Sequence, residues 1–205
     1  MSLAVSKPTD IAIFASGGGS NALKIIEHFE GDEQVRVALI IANKPDAGVL
    51  RHAHRHHIPS LVITKRLLNN QEMMDGVFDT FGIDFVALAG FLLLMPAYIV
   101  DRYKGAIVNI HPALLPKFGG KGMYGMNVHR AVKVAGEKES GPTIHFVNTE
   151  YDEGNIIYQA TTPLMPEDTP EDIAARVLAL EHRYYPLVIE HVIKQGLPVN
   201  LENDN

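Results

Sequence analysis

Three short stretches carry side chains whose types and spacing could do chemistry. In Asn109-Ile110-His111-Pro112 an amide and an imidazole stand two places apart, behind the apolar, partly β-branched run Ala106-Ile107-Val108. Strand side chains alternate between faces, so Asn109 and His111 emerge together, one pleat apart. Pro112 has no N–H for a ladder and ends the strand there. A donor amide beside a titratable ring suits charge stabilisation on a substrate oxygen coupled to proton transfer. The second stretch, Ser16-Gly17-Gly18-Gly19-Ser20-Asn21, separates an apolar run from a helix-like segment, and its backbone amides could hold a phosphate where that helix opens. A dinucleotide site would add an acid closing the second strand, about 20 residues further on. Asn43 and Lys44 stand there instead, so the loop reads as a cradle for a mononucleotide phosphate, with a plain strand-to-helix turn as the alternative. The third, Asn148–Ile156, sets Asp152 between Glu150 and Glu153 just before Gly154. Beside His111 this carboxylate would orient the ring and raise its pKa; otherwise the stretch is a solvated acidic loop.

Two further groups carry less. His52 and His56 are one helical turn apart in "RHAHRHH", but no third ligand stands nearby, so a solvated helix face is expected rather than a metal site. Glu181 borders the apolar stripe Ile173, Val177, Leu180 and Tyr184, where a carboxylate either reaches water or has a buried partner.

The elements that must position these groups alternate. Apolar runs at Ile11–Ala15, Val35–Ala42, Ser60–Ile63, Phe85–Ala89 and Ala106–Ile110 are separated by helix-like segments such as Asn21–Phe29 and Ala47–His57. That alternation predicts an α/β fold with a doubly wound, mostly parallel sheet, in which ligands sit beyond the carboxyl ends of strands. Ile144–Val147 and Ile156–Thr161 are expected to extend the sheet. Thr169-Pro170-Glu171-Asp172 predicts the start of a last helix, with an N-cap, a proline at the first helical position and an acid at the third. No repeat or linker divides the 205 residues, so a single domain is expected over 1–205.

Composition narrows the partners. A net charge of −6 argues against a nucleic-acid-binding surface, which needs clustered Lys and Arg. With no cysteine there is neither a disulfide nor a thiolate nucleophile. The N-terminal "MSLAVSKPTD" lacks an apolar signal region and no stretch is long enough to span a bilayer, so a cytoplasmic, membrane-free protein is expected.

Taken in order, "SGGGSN", "ANKPDAG", "DFVALAGFLLLMP", "IVNIHPALLP", "TIHFVNTEYDEG" and "ARVLALEHRYYP" resemble the phosphoribosylglycinamide formyltransferases of purine synthesis, from about Ile11 to Ile193. The resemblance implies a Rossmann-like formyltransferase fold, with a nucleotide-phosphate half over about 10–105 and a catalytic and folate half over about 106–195. It implies transfer of formyl from 10-formyltetrahydrofolate to glycinamide ribonucleotide, without a metal, by a monomer or homodimer. By it Asn109, His111 and Asp152 form the catalytic group. Gly19, Ser20 and Asn21 meet the ribonucleotide phosphate, and Pro112 and Glu181 touch the same substrate. Leu92, Leu93, Leu94 and Met95 form the wall for the folate pterin, with Asn109 also at the folate.

The chain departs from that pattern in two places. Leu93 stands where the family commonly has arginine, and no Lys or Arg occurs between Leu67 and Asp101 to meet the folate glutamate tail. After Lys117 the loop "FGGKGMYGMNVH" replaces a shorter Pro-Gly turn, with Asn127 and His129 at the family's two His positions. Its glycines make it either a mobile lid or a passive insertion. Formyltetrahydrofolate deformylase, methionyl-tRNA formyltransferase and a non-catalytic nucleotide-binding module remain the competing readings.

Overall fold

The first strand shows why the sheet needs cover on both sides. In β1 (Thr9–Ala15), Ile11, Ile13 and Ala15 enter one apolar cluster while Ala12 and Phe14 enter another. An unbroken apolar run is what a strand buried on both faces requires. The computed structural model describes residues 7–201. Beside β1 lie β2 (Val35–Ala42), β3 (Ser60–Val62), β4 (Phe85–Leu88) and β5 (Ile107–His111), all parallel. The pair β6 (Glu139–Ser140) and β9 (Thr162–Pro163) forms a separate ribbon, and β7 (Thr143–Phe146) and β8 (Ile156–Gln159) join the main sheet antiparallel. The order is β3-β2-β1-β4-β5-β7-β8. This is the doubly wound, mostly parallel α/β sheet expected from the alternation, in one domain. The winding direction reverses between β1 and β4, and a crevice opens beyond their carboxyl ends.

On one face pack α1 (Ser20–His28), α2 (Val49–Arg55) and α7 (Pro170–Lys194), through Ile25, Val49, Tyr185 and Ile189 among others. On the other lie α3 (Lys65–Leu68), α4 (Gln71–Phe81) and α5 (Ala97–Arg102), through Leu68, Phe78 and Ile99. The sixth helix, α6 (Met126–Val134), sets Val128 and Val132 against Ile173 and Val177 of α7. The predicted runs fall on strands within a residue or two, Ile156–Thr161 ending as β8 at Gln159. Thr169 begins α7 as its composition predicts: the hydroxyl accepts from the Asp172 N–H at 3.1 Å, and the Thr169 N–H donates to the Asp172 carboxylate at 2.9 Å. Tyr185, fully buried, pins α7 to the sheet by donating to the Leu88 carbonyl at 2.9 Å, with the Val108 carbonyl at 3.3 Å. That anchor holds the preceding turn, and with it Glu181, over the crevice. Among the described residues no helix is long and apolar enough to cross a membrane.

Candidate functional site

A cavity of about 700 Å³ occupies the crevice. The loop after β1, the segment after β4, the end of β5, the loop 120–126, Tyr151-Asp152 and α7 all line it. Most of the residues singled out in the sequence meet here. Gly19, Ser20, Asn21, Leu92, Asn109, His111, Pro112, Asp152 and Glu181 all face this one space.

The Asn109–His111 pair is completed by a strand that the sequence reading left without a function. In the antiparallel register of β5 and β7, Asn109 lies opposite His145 and His111 opposite Thr143. Asn109 Nδ2 is 3.1 Å from His145 Nε2, and His145 Nδ1 is 2.8 Å from the Phe146 carbonyl. A proton on Nδ1, donated to that carbonyl, leaves Nε2 to accept from the amide. The second amide hydrogen reaches Asp152 Oδ1 across 3.5 Å, a long and weak contact. Thr143 supports the next segment, donating to the Ala113 carbonyl at 2.6 Å and accepting from the Leu115 N–H at 3.0 Å. The missed signal was present: Thr143-Ile144-His145 repeats the polar-apolar-polar spacing of Asn109-Ile110-His111.

Asp152 is brought beside the strand end, so its loop is not a solvated acidic turn. Its Oδ2 lies 3.4 Å from His111 Nδ1 and accepts from the Gly120 N–H at 2.9 Å, while Oδ1 is 3.7 Å from His145 Nε2. Burial would raise its pKa. His145, the charge of His111 and the Gly120 amide outweigh that and hold it below the ordinary carboxylate value. For His111 the expected sign is corrected. Asp152 does push the ring's pKa up, aided by the Phe118 carbonyl 2.8 Å from Nε2, but burial is the larger effect and leaves it below its ordinary value. At neutral pH the ring is therefore largely neutral.

At the other end of the cavity, Gly19 has a left-handed backbone (φ 79°), and a Cβ there would lie 2.6 Å from Val49 Cβ. Glycine is required at that position by conformation and packing. A Cβ on Gly17 or Gly18 would meet no protein atom within 4 Å, so their open side is the cavity itself. Asn21 Nδ2 donates to Glu181 Oε2 at 2.6 Å, and Asn21 Oδ1 is buried with no partner. A buried acceptor of this kind is open to a donor from the cavity side. Glu181 thus takes the buried alternative, at 7% exposure.

Of the four residues expected as a pterin wall, Leu92 to Met95, one lines this cavity. Leu92 lines the cavity, its N–H donating to Ser16 Oγ at 2.9 Å. Leu93, Leu94 and Met95 lie outside the cavity lining; Met95 is buried in the second apolar cluster with Phe91 and Ile99, where its side chain adds to the core. Ala89, Gly90 and Phe91 line the cavity beside Leu92. The loop after Lys117 is tied to the strand-end cluster at two points. His111 holds it at Phe118 and Asp152 at Gly120, and it forms one side of the cavity. Buried His129 also lines the space, while His52 and His56 do not. Among the described residues no group of three His, Cys, Asp or Glu is placed to hold a metal ion.

Glu181 gives the site a measurable signature. Burial raises its pKa from 4.5 to about 7, against the opposing hydrogen bond from Asn21. The folded state therefore favours the neutral acid. That contribution is full below about 4.5 and is lost as the pH rises through about 7. Glu181→Gln keeps an acceptor for Asn21 without a charge. Urea unfolding of the free protein at pH 5 and pH 9 is expected to show wild type losing on the order of 3 kcal/mol relative to the variant. Parallel curves for the two proteins would contradict a buried, neutral Glu181.

Comparison with known proteins agrees with the geometry. The formyl transferase family profile matches residues 9–189. The chloroplastic phosphoribosylglycinamide formyltransferase of Arabidopsis thaliana is 45% identical over 194 residues, which span 91% of this chain and 66% of that protein. The Haemophilus influenzae phosphoribosylglycinamide formyltransferase is 40% identical over 185 residues, 88% of this chain and 85% of that protein. The crystal structure of the Anaplasma phagocytophilum phosphoribosylglycinamide formyltransferase superposes with a TM-score of 0.82 at 34% identity, covering 92% of this chain and 88% of the other. With its glycine cradle, strand-end amide and imidazole, and facing aspartate in one crevice, the chain belongs to the formyl transferase family.

Proposed function

We propose that the chain transfers the formyl group of 10-formyltetrahydrofolate to the amine of glycinamide ribonucleotide, with Asn109, His111 and Asp152 as the catalytic group. The observation that carries this reading is the shared cavity, with a phosphate cradle at one end and the Asn109–His111–Asp152 cluster at the other. Open backbone at Gly17 and Gly18, above the Ser20 and Asn21 amides that open α1, suits the ribonucleotide phosphate. The unpartnered Asn21 Oδ1, with Glu181 bonded to the same side chain and Pro112 in the same lining, suits the hydroxyls of the ribose. The apolar rim at Phe91 and Leu92, beside the exposed backbone of Ala89 and Gly90, suits a flat pterin with polar edges. The reading includes a monomer or homodimer and a cytoplasmic location, while relatives in Arabidopsis thaliana and Vigna unguiculata are chloroplastic.

The chemistry follows from the electrostatics. As the amine attacks the formyl carbon, charge develops on the formyl oxygen. Asn109 meets it with the hydrogen now spent on the 3.5 Å contact to Asp152. The amine nitrogen must lose a proton, and a neutral His111 accepts it. The imidazolium so formed faces the Asp152 carboxylate, which stabilises it until the proton passes to the departing folate nitrogen. A depressed ground-state pKa thus makes His111 a base first and an acid second.

Incubation with 10-formyltetrahydrofolate, with and without glycinamide ribonucleotide, tests the assignment. Tetrahydrofolate is expected only when the ribonucleotide is present. Product without it would indicate a deformylase, and none in either case would leave a binding module.

Asp152→Asn removes the charge that raises the His111 pKa while nearly preserving shape. NMR titration is expected to place the His111 pKa lower in the variant by about one pH unit, with turnover down about 10²-fold. An unchanged or higher value would remove Asp152 from this role.

The cradle separates ligand contact from packing. Gly18→Ala points into open space, so its stability is expected within ~0.5 kcal/mol of wild type, while the KM for the ribonucleotide rises and that for the folate does not. Gly19→Ala is expected to lose about 2 to 4 kcal/mol through backbone strain and collision with Val49. Equal KM effects on both substrates in Gly18→Ala would return the loop to a structural turn.

A further inference from the structure

The cavity is short of cations for the substrates assigned to it. Both carry anionic groups, a phosphate on one and carboxylates on the other. Among the described residues, Lys121 is the sole lysine or arginine in the cavity lining. Its side chain has no hydrogen bond or ion pair with any described residue. The other nearby lysine, Lys117, is committed to Glu137 at 2.9 Å and lies outside the lining.

The loop that carries Lys121 is held on both sides. The preceding residue, Gly120, donates its N–H to Asp152 at 2.9 Å. A Cβ on Gly119 would stand 2.6 Å from Leu115 and 3.3 Å from Asp152, so the loop backbone lies directly against the cluster. Two residues beyond Lys121, Met123 packs against the cluster formed with Ile173 and Val177 of α7. From that helix Ala174, Leu178 and Glu181 face the cavity, and Glu181 is bonded to Asn21 of the cradle. Lys121 therefore sits on the span between Asp152 and the α7–cradle wall. A ribonucleotide covers the same span when its amine is at Asn109 and its phosphate at Gly17–Asn21. The pterin wall at Phe91 and Leu92 belongs to the segment after β4 instead.

We propose that Lys121 is the cationic partner of the ribonucleotide phosphate, completing a cradle that otherwise offers only backbone amides and neutral side chains. This rests on the substrate assignment above and adds the residue that gives the site its preference for a phosphorylated substrate. An ammonium acts on phosphate as a flexible point charge, so it can serve from a loop without the fixed fork that arginine needs. Leu178, the cavity-facing residue one turn before Glu181, offers no charge on the α7 side, which leaves Lys121 to supply it.

Lys121→Met keeps the length of the side chain and removes the charge. In the full chain its KM for glycinamide ribonucleotide is expected to rise about tenfold or more, with the folate KM within about twofold and with Lys121→Arg restoring most of the loss. With the dephosphorylated ribonucleoside, wild type and Lys121→Met should be equal. Calorimetric titration of ribose 5-phosphate reads the same contact without formyl transfer, and binding is expected to weaken in Lys121→Met. This arm separates failure of the inference from failure of the assigned reaction. A wild type that transfers no formyl group but loses ribose 5-phosphate affinity on substitution would refute the reaction and keep the phosphate contact. A raised folate KM with an unchanged ribonucleotide KM would overturn the proposal in favour of the glutamate tail. Unchanged constants for both substrates, with unchanged ribose 5-phosphate binding, would overturn it in favour of a solvated loop lysine.

Discussion

The register in which β7 pairs with β5 fixes the reactive end of the cavity. With Asn109 opposite His145 and His111 opposite Thr143, four polar side chains share one face of the sheet at this edge. Side chains alternate with a period of two, so a slip by one residue would turn all of β7 over. His145 would leave Asn109, and Ile144 would enter the site from the core. The antiparallel turn of β7 after four parallel pairings also matters. It starts β7 beside His111 and ends it beside Val108, so the loop after β7 leaves from the amino-terminal end of β5 and folds back to set Asp152 against His111 and His145. Asp152 arrives at the cluster by that route.

Within the cluster, desolvation and charge pull against each other, with opposite outcomes at two neighbours. Asp152 has several donors around it, and together they exceed the cost of its burial. His111 has one carboxylate at 3.4 Å and one carbonyl, and these fall short of the cost of its deeper burial. The pair therefore rests as a carboxylate beside a neutral ring rather than as a full ion pair. A proton arriving on His111 during reaction then has a stabilising charge already in position. Asp152 also adopts φ 58°, a left-handed conformation uncommon for a residue with a side chain. The hydrogen bond from the Gly120 N–H holds the side chain of that residue where the chain turns back toward the cluster.

What was legible in the sequence was local. The spacing of Asn109 and His111, the proline behind them, the glycine run before α1 and the Thr169 capping box each state their geometry within a few residues. The doubly wound sheet was legible because apolar runs and helical segments alternate. What escaped depends on partners far along the chain. Asn21 and Glu181 are 160 positions apart, and nothing near either announces the other. His145 became visible as a site residue only through its pairing across β5. Met95 reads like its neighbours in an apolar run, yet the turn after Gly90 sends it to the core. The sign of the His111 shift was misjudged because a carboxylate neighbour can be inferred from a motif, whereas the depth of burial is a property of the whole fold.

The free cluster is nearly self-satisfied, and its weak points lie where a substrate must act. Both hydrogens of the Asn109 amide have acceptors, but one contact is 3.1 Å and the other 3.5 Å. Both nitrogens of His111 face oxygens, one at 2.8 Å and one at 3.4 Å. A neutral ring can donate to only one of those oxygens. The free arrangement therefore leaves one nitrogen facing an acceptor without a proton between them. In the proposed reaction a proton taken from the attacking amine fills that gap, just as the oxyanion takes the amide hydrogen now stretched toward Asp152. The Phe118 carbonyl belongs to the same balance, since it holds one side of the ring from a residue at φ 57°, a strained conformation for a bulky aromatic. On the proposed reaction, electrostatic complementarity to the transition state takes the form of contacts that are too long or one proton short in the ground state. Interactions that strengthen only as the reaction proceeds lower the barrier rather than merely tightening substrate binding.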